Sequence, residues 1–120
     1  MKVTFHSLDN DGNKVFFKSD AKNVDSYIEF IDKSTENTSI RLKYDTSSII
    51  IERVGNINMV LNLELNKTTG CMYKDNLGLE LDLEIKTNEL EVKNNKLYAN
   101  YDLILDKNVI SSHKIWILFA

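Results

Sequence analysis

The sequence predicts an all-β fold, a small closed antiparallel up-and-down β-barrel of about eight to ten strands. Apolar and polar residues alternate along much of the chain, without a break in residues 79–86, LELDLEIK. A period of two is typical of a strand with one buried face. Turn residues recur at roughly 8–12 residue intervals, the spacing of short strands in a barrel or sandwich. The last segment, residues 113–119, is apolar on both faces, which suits either a strand whose second side is also covered or one that pairs back onto the first strand.

The first half of the chain contains five candidate strands. Asp11-Gly12 lies between the first two and supplies the positive φ that a tight hairpin needs. The third candidate has a competing interpretation as a helix, because residues 24–31 also carry apolar side chains at helical spacing after a possible N-cap at Ser19 or Asp20. Its β-branched and aromatic residues favour a strand. The candidates are Lys2–Leu8, Asn13–Ser19, Asp25–Ile31, Ser39–Tyr44 and Ser48–Val54.

The second half contains five more. The first of them places every odd-numbered residue from Ile57 to Leu65 on one apolar face. The second is short and ends before an Asp-Asn-Leu-Gly turn, and the third is the alternating segment described above. Asn94-Asn95 and residues 106–108 mark the last two turns. The candidates are Ile57–Leu65, Gly70–Lys74, Leu77–Val92, Leu97–Leu105 and Val109–Phe119.

A closed barrel is favoured over a sandwich by the problem of sheet edges. A meander of hairpins leaves two edge strands, whose unpaired N–H and C=O groups invite aggregation. Pairing the last strand with the first removes both edges. A two-sheet sandwich is the second choice.

Length and composition indicate one soluble domain, residues 1–120. The formal net charge is −3, and the basic residues are scattered singly, so we expect no nucleic-acid partner. Cys71 is the single cysteine, which excludes an internal disulfide. The N-terminus lacks the apolar stretch of a signal peptide, and no segment is long and apolar enough for a membrane helix. We therefore expect a cytoplasmic protein that does not engage a membrane.

Four polar side chains share a face with apolar neighbours, and their positions are the candidate binding site. Arg53 follows Ile49 and Ile51 at a period of two. An inward guanidinium is costly unless it is paired. By the same alternation the other three are also expected to point inward. The candidate ligand-binding residues are Arg53, Tyr73, Thr87 and Tyr101.

Two interpretations of these residues remain open. A guanidinium, two phenols and a hydroxyl inside an apolar barrel could hold a carboxylate head group. Alternatively, Arg53 lies near a barrel end and bonds to strand carbonyls or stacks on a tyrosine, while the tyrosine hydroxyls reach backbone or solvent. Small barrels are usually filled by their own side chains, which favours the second interpretation.

Catalytic, metal and cofactor sites have little support in the sequence. His6, His113 and Cys71 are isolated, whereas a structural zinc site needs four ligands, usually in close pairs. Ser111 and His113 share a strand face, but no Asp is evidently placed to orient the histidine. The carboxylates at residues 80, 82 and 84 form the wet face of a strand. We expect no catalytic residues, no metal and no cofactor.

Six short stretches follow one another in an order and spacing that match a known protein family. They are Tyr27–Phe30, Thr38–Tyr44, Ile51–Gly55, Tyr73 with Gly78, Leu83–Thr87 and Leu97–Leu103. Together these stretches resemble the YwiB-like bacterial proteins of unknown function, over roughly residues 25–119. The resemblance implies a closed barrel of the calycin superfamily, which includes lipocalins and fatty-acid-binding proteins, in a bacterial cytoplasm. It supplies no activity.

The function expected from the sequence is therefore non-enzymatic. The first hypothesis is a binder of a small apolar or carboxylate-bearing ligand inside the barrel. The alternative is a protein–protein interaction or structural module with a filled core that acts through its surface, as a monomer or a homodimer. An enzyme is the third and least supported hypothesis, because no catalytic constellation is evident.

Overall fold

The computed structural model describes residues 1–120 and contains ten strands and no helix. Every predicted strand is present; the largest difference is in the second strand, which was predicted to end at Ser19 and continues to Val24. The strands are β1 (Lys2–Asp9), β2 (Lys14–Val24), β3 (Tyr27–Ile31), β4 (Thr38–Tyr44), β5 (Ser48–Gly55), β6 (Ile57–Glu64), β7 (Thr68–Asp75), β8 (Glu80–Lys93), β9 (Lys96–Leu105) and β10 (Asn108–Phe119). None of these elements is a helix that could span a membrane.

The sheet is a closed up-and-down barrel, as predicted. Each strand pairs antiparallel with the next in sequence, and β10 returns to pair with β1, with Val3 opposite Phe119 and Asp9 opposite His113. Reciprocal hydrogen bonds between the backbones of Lys2 and Ala120 extend this closing ladder to the chain ends. Because the ladder is continuous around the barrel, neither the first nor the last strand is an edge.

The ambiguous segment at residues 24–31 is a strand, which excludes the helical alternative. It begins two residues later than predicted, because Asp25 and Ser26 adopt positive φ angles of 50° and 75° and form the turn between β2 and β3. Phe30 points into the core, where its ring lies 6.3 Å from that of Phe17. The aromatic and β-branched side chains therefore decide this segment in favour of a strand.

Two predicted strand ends are wrong for a shared reason. The apolar alternation continues past the true ends of the strands, and it therefore predicts that Leu65 and Leu79 are buried. Leu65 lies beyond β6 and is 45% exposed, and Leu79 precedes β8 and is 49% exposed. At Leu79, the Asp75 carboxylate accepts two backbone N–H groups, from Leu77 and Leu79 itself, and holds the turn.

The barrel interior is an apolar core with one open end. The core contains alternate residues of all ten strands, including Leu83 and Ile85, which confirms the inward face predicted for this segment. At the end that carries the chain termini, the β6–β7 turn crosses to β8, where Thr87 exchanges backbone hydrogen bonds with Asn66 and Lys67. The other end carries the β1–β2 turn and the loop after β3, and a cavity lies beneath it.

Candidate functional site

A cavity of about 560 Å³ occupies the barrel interior below the β1–β2 turn and the β3–β4 loop. Thirteen of its twenty lining residues are hydrophobic, so its walls suit an apolar ligand body. Its size lies within the range of small-molecule sites, roughly 300–1,000 Å³. The polar lining residues are Ser7, Asp9, Asn13, Ser34, Thr35, Arg53, Tyr73, Tyr101 and His113, of which Tyr73 and Tyr101 are counted with the hydrophobic set.

Arg53 is the only arginine or lysine in the cavity wall. It follows the buried Ile49 and Ile51 along β5, so the alternation turns it inward as predicted. Its Nε lies 3.5 Å from Oδ2 of Asp32, whose side chain is fully buried. Neither of these two atoms forms a hydrogen bond, so the contact is an ion pair at long range. The guanidinium has no hydrogen-bond acceptor in the chain and keeps its Nη donors available.

Asp32 is held in place by the loop that follows β3. Its Oδ1 accepts hydrogen bonds from the backbone N–H of Ser34, at 2.9 Å, and from the Ser34 hydroxyl. Its own backbone N–H donates to Thr38. The carboxylate therefore balances the charge of Arg53 from the side of the loop, opposite the apolar cavity walls.

Tyr101 brings a phenol into the same cavity. It is 6% exposed, and burial raises the pKa of its hydroxyl to about 12, an effect that the nearby Arg53 partly opposes. The hydroxyl therefore keeps its proton at neutral pH and can donate it in a hydrogen bond. The Tyr101 ring stacks on that of His113, with centroids 5.2 Å apart and planes 18° apart.

Tyr73 and Thr87, the other two residues predicted for the site, have different positions. Tyr73 lines the cavity, and its hydroxyl lies 3.5 Å from Oδ2 of Asp75, a contact too long to hold it firmly. Thr87 does not line the cavity. It is fully buried, pairs with Tyr101 across the strands, and its hydroxyl oxygen has no hydrogen-bond partner. Arg53, Tyr73 and Tyr101 therefore line one cavity, and Thr87 lies outside it.

His113 and Asp9 also belong to the cavity wall, although the sequence analysis did not place them there. Burial lowers the pKa of His113, an effect that Asp9 opposes. The Asp9 carboxylate accepts hydrogen bonds from the backbone of Asp11 and from Asn13, which lower its own pKa. The sequence pattern that indicates an inward position for His113 is its alternation with Ile115 and Ile117, which are both buried.

The arrangement around His113 does not form a catalytic triad. Ser111 Oγ lies 2.8 Å from His113 Nε2, as expected for two residues on one strand face. Ser111, however, does not line the cavity, and no carboxylate forms a hydrogen bond with the imidazole. Cys71 is buried beside the core, and burial raises its pKa to about 11, so the thiol stays protonated. No three His, Cys, Asp or Glu side chains are grouped as metal ligands.

Comparison with known proteins assigns a family and supports the fold. The family model described as "Domain of unknown function (DUF1934)" matches residues 7–117. The crystal structure of the ywiB protein from Bacillus subtilis superimposes with a TM-score of 0.69. The two chains are 18% identical, and the match covers 97% of this chain and 88% of the other. At this identity the likeness is one of fold. No curated protein matches the chain.

Proposed function

Because the chain belongs to the YwiB-like DUF1934 family, whose function is unknown, we propose a function from the residues that line the interior of its barrel. The protein is a non-enzymatic binder of a small ligand with an apolar body and a carboxylate or similar acceptor head group. The observation that carries this proposal is a 560 Å³ apolar cavity beside a guanidinium whose donors have no acceptor in the chain.

The head group is assigned to the Arg53 end of the cavity. The free Nη donors of a guanidinium match the two oxygens of a carboxylate, and such charge-assisted bonds are stronger than neutral ones. The Tyr101 hydroxyl, which lines the same cavity, offers a further donor. The Asp32 carboxylate already neutralises the charge of Arg53. The affinity for the ligand head group therefore depends less on net charge than on the geometry of these donors.

The apolar body is assigned to the walls formed by β6 and β8. Leu61, Leu81 and Leu83 face the cavity and would replace water around an aliphatic or aromatic body. A pocket of about 560 Å³ at the open end of the barrel favours binding in the interior over a module that acts only through its surface. No hydroxyl of the cavity wall forms a hydrogen bond with His113, which favours binding over turnover.

Isothermal titration calorimetry with decanoate and decan-1-ol tests the proposal, because the two ligands share an apolar body and differ in the head group. We expect decanoate to bind at least about tenfold more tightly, a difference of about 1.4 kcal/mol. Arg53→Met should remove this preference. Asp32→Asn is the matched control, since it removes the ion pair while keeping the guanidinium, and it should retain the preference.

A cavity-filling variant separates interior binding from adsorption to the surface. Leu81→Trp places a larger side chain at a half-buried position of the cavity wall. It should abolish heat from both ligands while the protein stays folded by circular dichroism. Equal binding of decanoate to Leu81→Trp and to the wild type would contradict the proposal.

A further inference from the structure

Four aromatic rings form a row across the outer surface of the barrel, on the side away from the cavity. Strand pairing places His6 opposite both Trp116 and Phe16, and it places Trp116 opposite Tyr98. The aromatic row therefore consists of Phe16, His6, Trp116 and Tyr98, on the adjacent strands β2, β1, β10 and β9. Neighbouring ring centroids are 6.1, 4.8 and 5.4 Å apart along this order.

The row presents apolar surface to solvent at one end. Phe16 is 64% exposed, and the adjacent Leu118 is 43% exposed. A shallow groove of about 280 Å³ runs beside the row and is lined by Thr4, His6, Phe16, Lys96, Trp116 and Leu118. Large exposed aromatic side chains next to one another are a common feature of binding surfaces.

Lysines flank the aromatic row on both sides. On one side, Thr4 pairs with Lys18 and with Leu118, and Leu118 pairs with Lys96. On the other side, Leu8 pairs with Lys14 and with Lys114. None of Lys14, Lys18, Lys96 and Lys114 has a carboxylate within ion-pair distance.

Acidic residues border this surface without neutralising it. Asp20 is paired with Lys2, and Glu91 is paired with Lys93. Glu89 accepts hydrogen bonds from Tyr98 and Asn100 and is attracted by Lys114. The four flanking lysines therefore outnumber Glu89 and Asp102, the two acidic side chains of this face that have no lysine within ion-pair distance.

We propose that the aromatic row with its flanking lysines is a binding surface for single-stranded nucleic acid. Phe16 exposes most of its ring and can accept a stacked base, and lysines on either side of the row attract the phosphates. The row spans three steps between strands, about 14 Å at ~4.8 Å for each step. That length suits two or three nucleotides. A protein with only this contact binds weakly and with marked dependence on salt.

The charge pattern selects this occupant over a second copy of the chain. Both flanks of the row are basic, so a two-fold contact across the row would oppose lysines to lysines, which is unfavourable. The sequence predicts no nucleic-acid partner from its net charge of −3 and from basic residues that are scattered along the chain. The barrel register gathers four of them, from three strands, around one row of rings.

Fluorescence titration with a twelve-residue oligothymidylate at low salt tests the proposal. Trp116 is the chain's only tryptophan, so base stacking at the row should quench the intrinsic emission. Four phosphate contacts predict that log K falls with log salt at a slope of up to about −2.8 for a single strand. Lys18→Gln with Lys96→Gln should reduce this slope by about 1.4. The charge-matched control, Lys67→Gln in the β6–β7 turn with Lys86→Gln on β8, should leave it unchanged.

Phe16→Ala tests the stacking. Because Phe16 is largely exposed, the variant should fold, and its affinity for the oligonucleotide should fall at least about fivefold. Leu77→Ala, which removes an apolar side chain elsewhere that is even more exposed, is the control. Three results would overturn the proposal: no saturable quenching at low salt, equal binding by Phe16→Ala, or a concentration-dependent dimer that Phe16→Ala abolishes. The last would assign the surface to a second copy.

Discussion

At the scale of single residues, the sequence was most informative where polar side chains interrupt an apolar face. Arg53 was found by its period of two with Ile49 and Ile51, and it lines the cavity. Its partner Asp32 could not be found in this way, because it lies just beyond the end of β3, in a loop whose path no periodicity describes. Thr87 obeys the same alternation as Leu83, yet it lies outside the cavity, since alternation gives the face of a residue and not its depth.

Arg53→Met should destabilise the fold, because it leaves the buried Asp32 carboxylate without its counter-charge. Breaking a buried pair typically costs about 3–5 kcal/mol, and we expect about 3 kcal/mol here because the ion pair is long. The double variant with Asp32→Asn should recover at least about half of this loss. Urea unfolding of the two single variants and the double variant measures the coupling. A loss below ~0.5 kcal/mol in Arg53→Met would show that the pair is not structural.

His113 should make stability depend on pH. Burial is the main cause of its lowered pKa, so the folded protein binds this proton less readily than the unfolded chain. Unfolding is therefore favoured as the pH falls below about 6.5, the usual histidine pKa, towards the lower folded value. Free energies of unfolding measured between pH 7.5 and 5.5 should decline in the wild type and decline less in His113→Gln. Parallel declines in the two proteins would count against this origin.

At the scale of elements, the strands were predictable and their ends were not. Period-two alternation identifies all ten strands because each has one buried face. The ends depend on local turn geometry, such as the Asp75 carboxylate that bonds the N–H groups of Leu77 and Leu79. Leu79 continues the apolar pattern of β8, so only the hydrogen bonds of the turn reveal that the strand begins at Glu80.

Gly55 ends β5 in a conformation that other residues rarely adopt. Its φ is +135°, and a Cβ built on it would lie 1.9 Å from the backbone oxygen of Asn37. Gly55→Ala should therefore cost more than ~2 kcal/mol, through both backbone strain and the displaced β3–β4 loop. Gly70→Ala is the matched control, because its Cβ would meet nothing within 4 Å and its φ is not positive. Chemical denaturation should show Gly70→Ala within ~1 kcal/mol of the wild type, and equal losses in both variants would refute the steric explanation.

At the scale of the whole molecule, closure of the barrel was predictable and the cavity was not. Closure follows from the need to pair both edges of a meander, and β10 indeed pairs with both β9 and β1. A cavity is the volume that side chains from many strands leave unfilled, so it depends on tilt and register. The bulky Leu, Ile and Met residues favoured a filled interior from the sequence alone, whereas the structure leaves about 560 Å³ open.

Closure also predicts tolerance of circular permutation. The backbones of Lys2 and Ala120 are already hydrogen-bonded, so a short Gly-Ser linker can join the termini. New ends between Asp25 and Ser26 would open an exposed turn. The permutant should unfold cooperatively within about 2 kcal/mol of the wild type, since every strand pair is retained. Deletion of residues 113–120 removes the closing strand and should abolish cooperative unfolding in urea. A permutant that fails to fold would contradict this view of the closure.

The most direct measurement of ligand binding is native mass spectrometry of the protein purified from the cells that naturally produce it, repeated after denaturation. Leu81→Trp expressed in the same cells is the control, because it fills the cavity. The proposed function predicts a mass excess on the native wild type that disappears on denaturation and is missing from Leu81→Trp. A bare polypeptide mass for the native wild type, or an equal excess on both proteins, would contradict a ligand held inside the barrel.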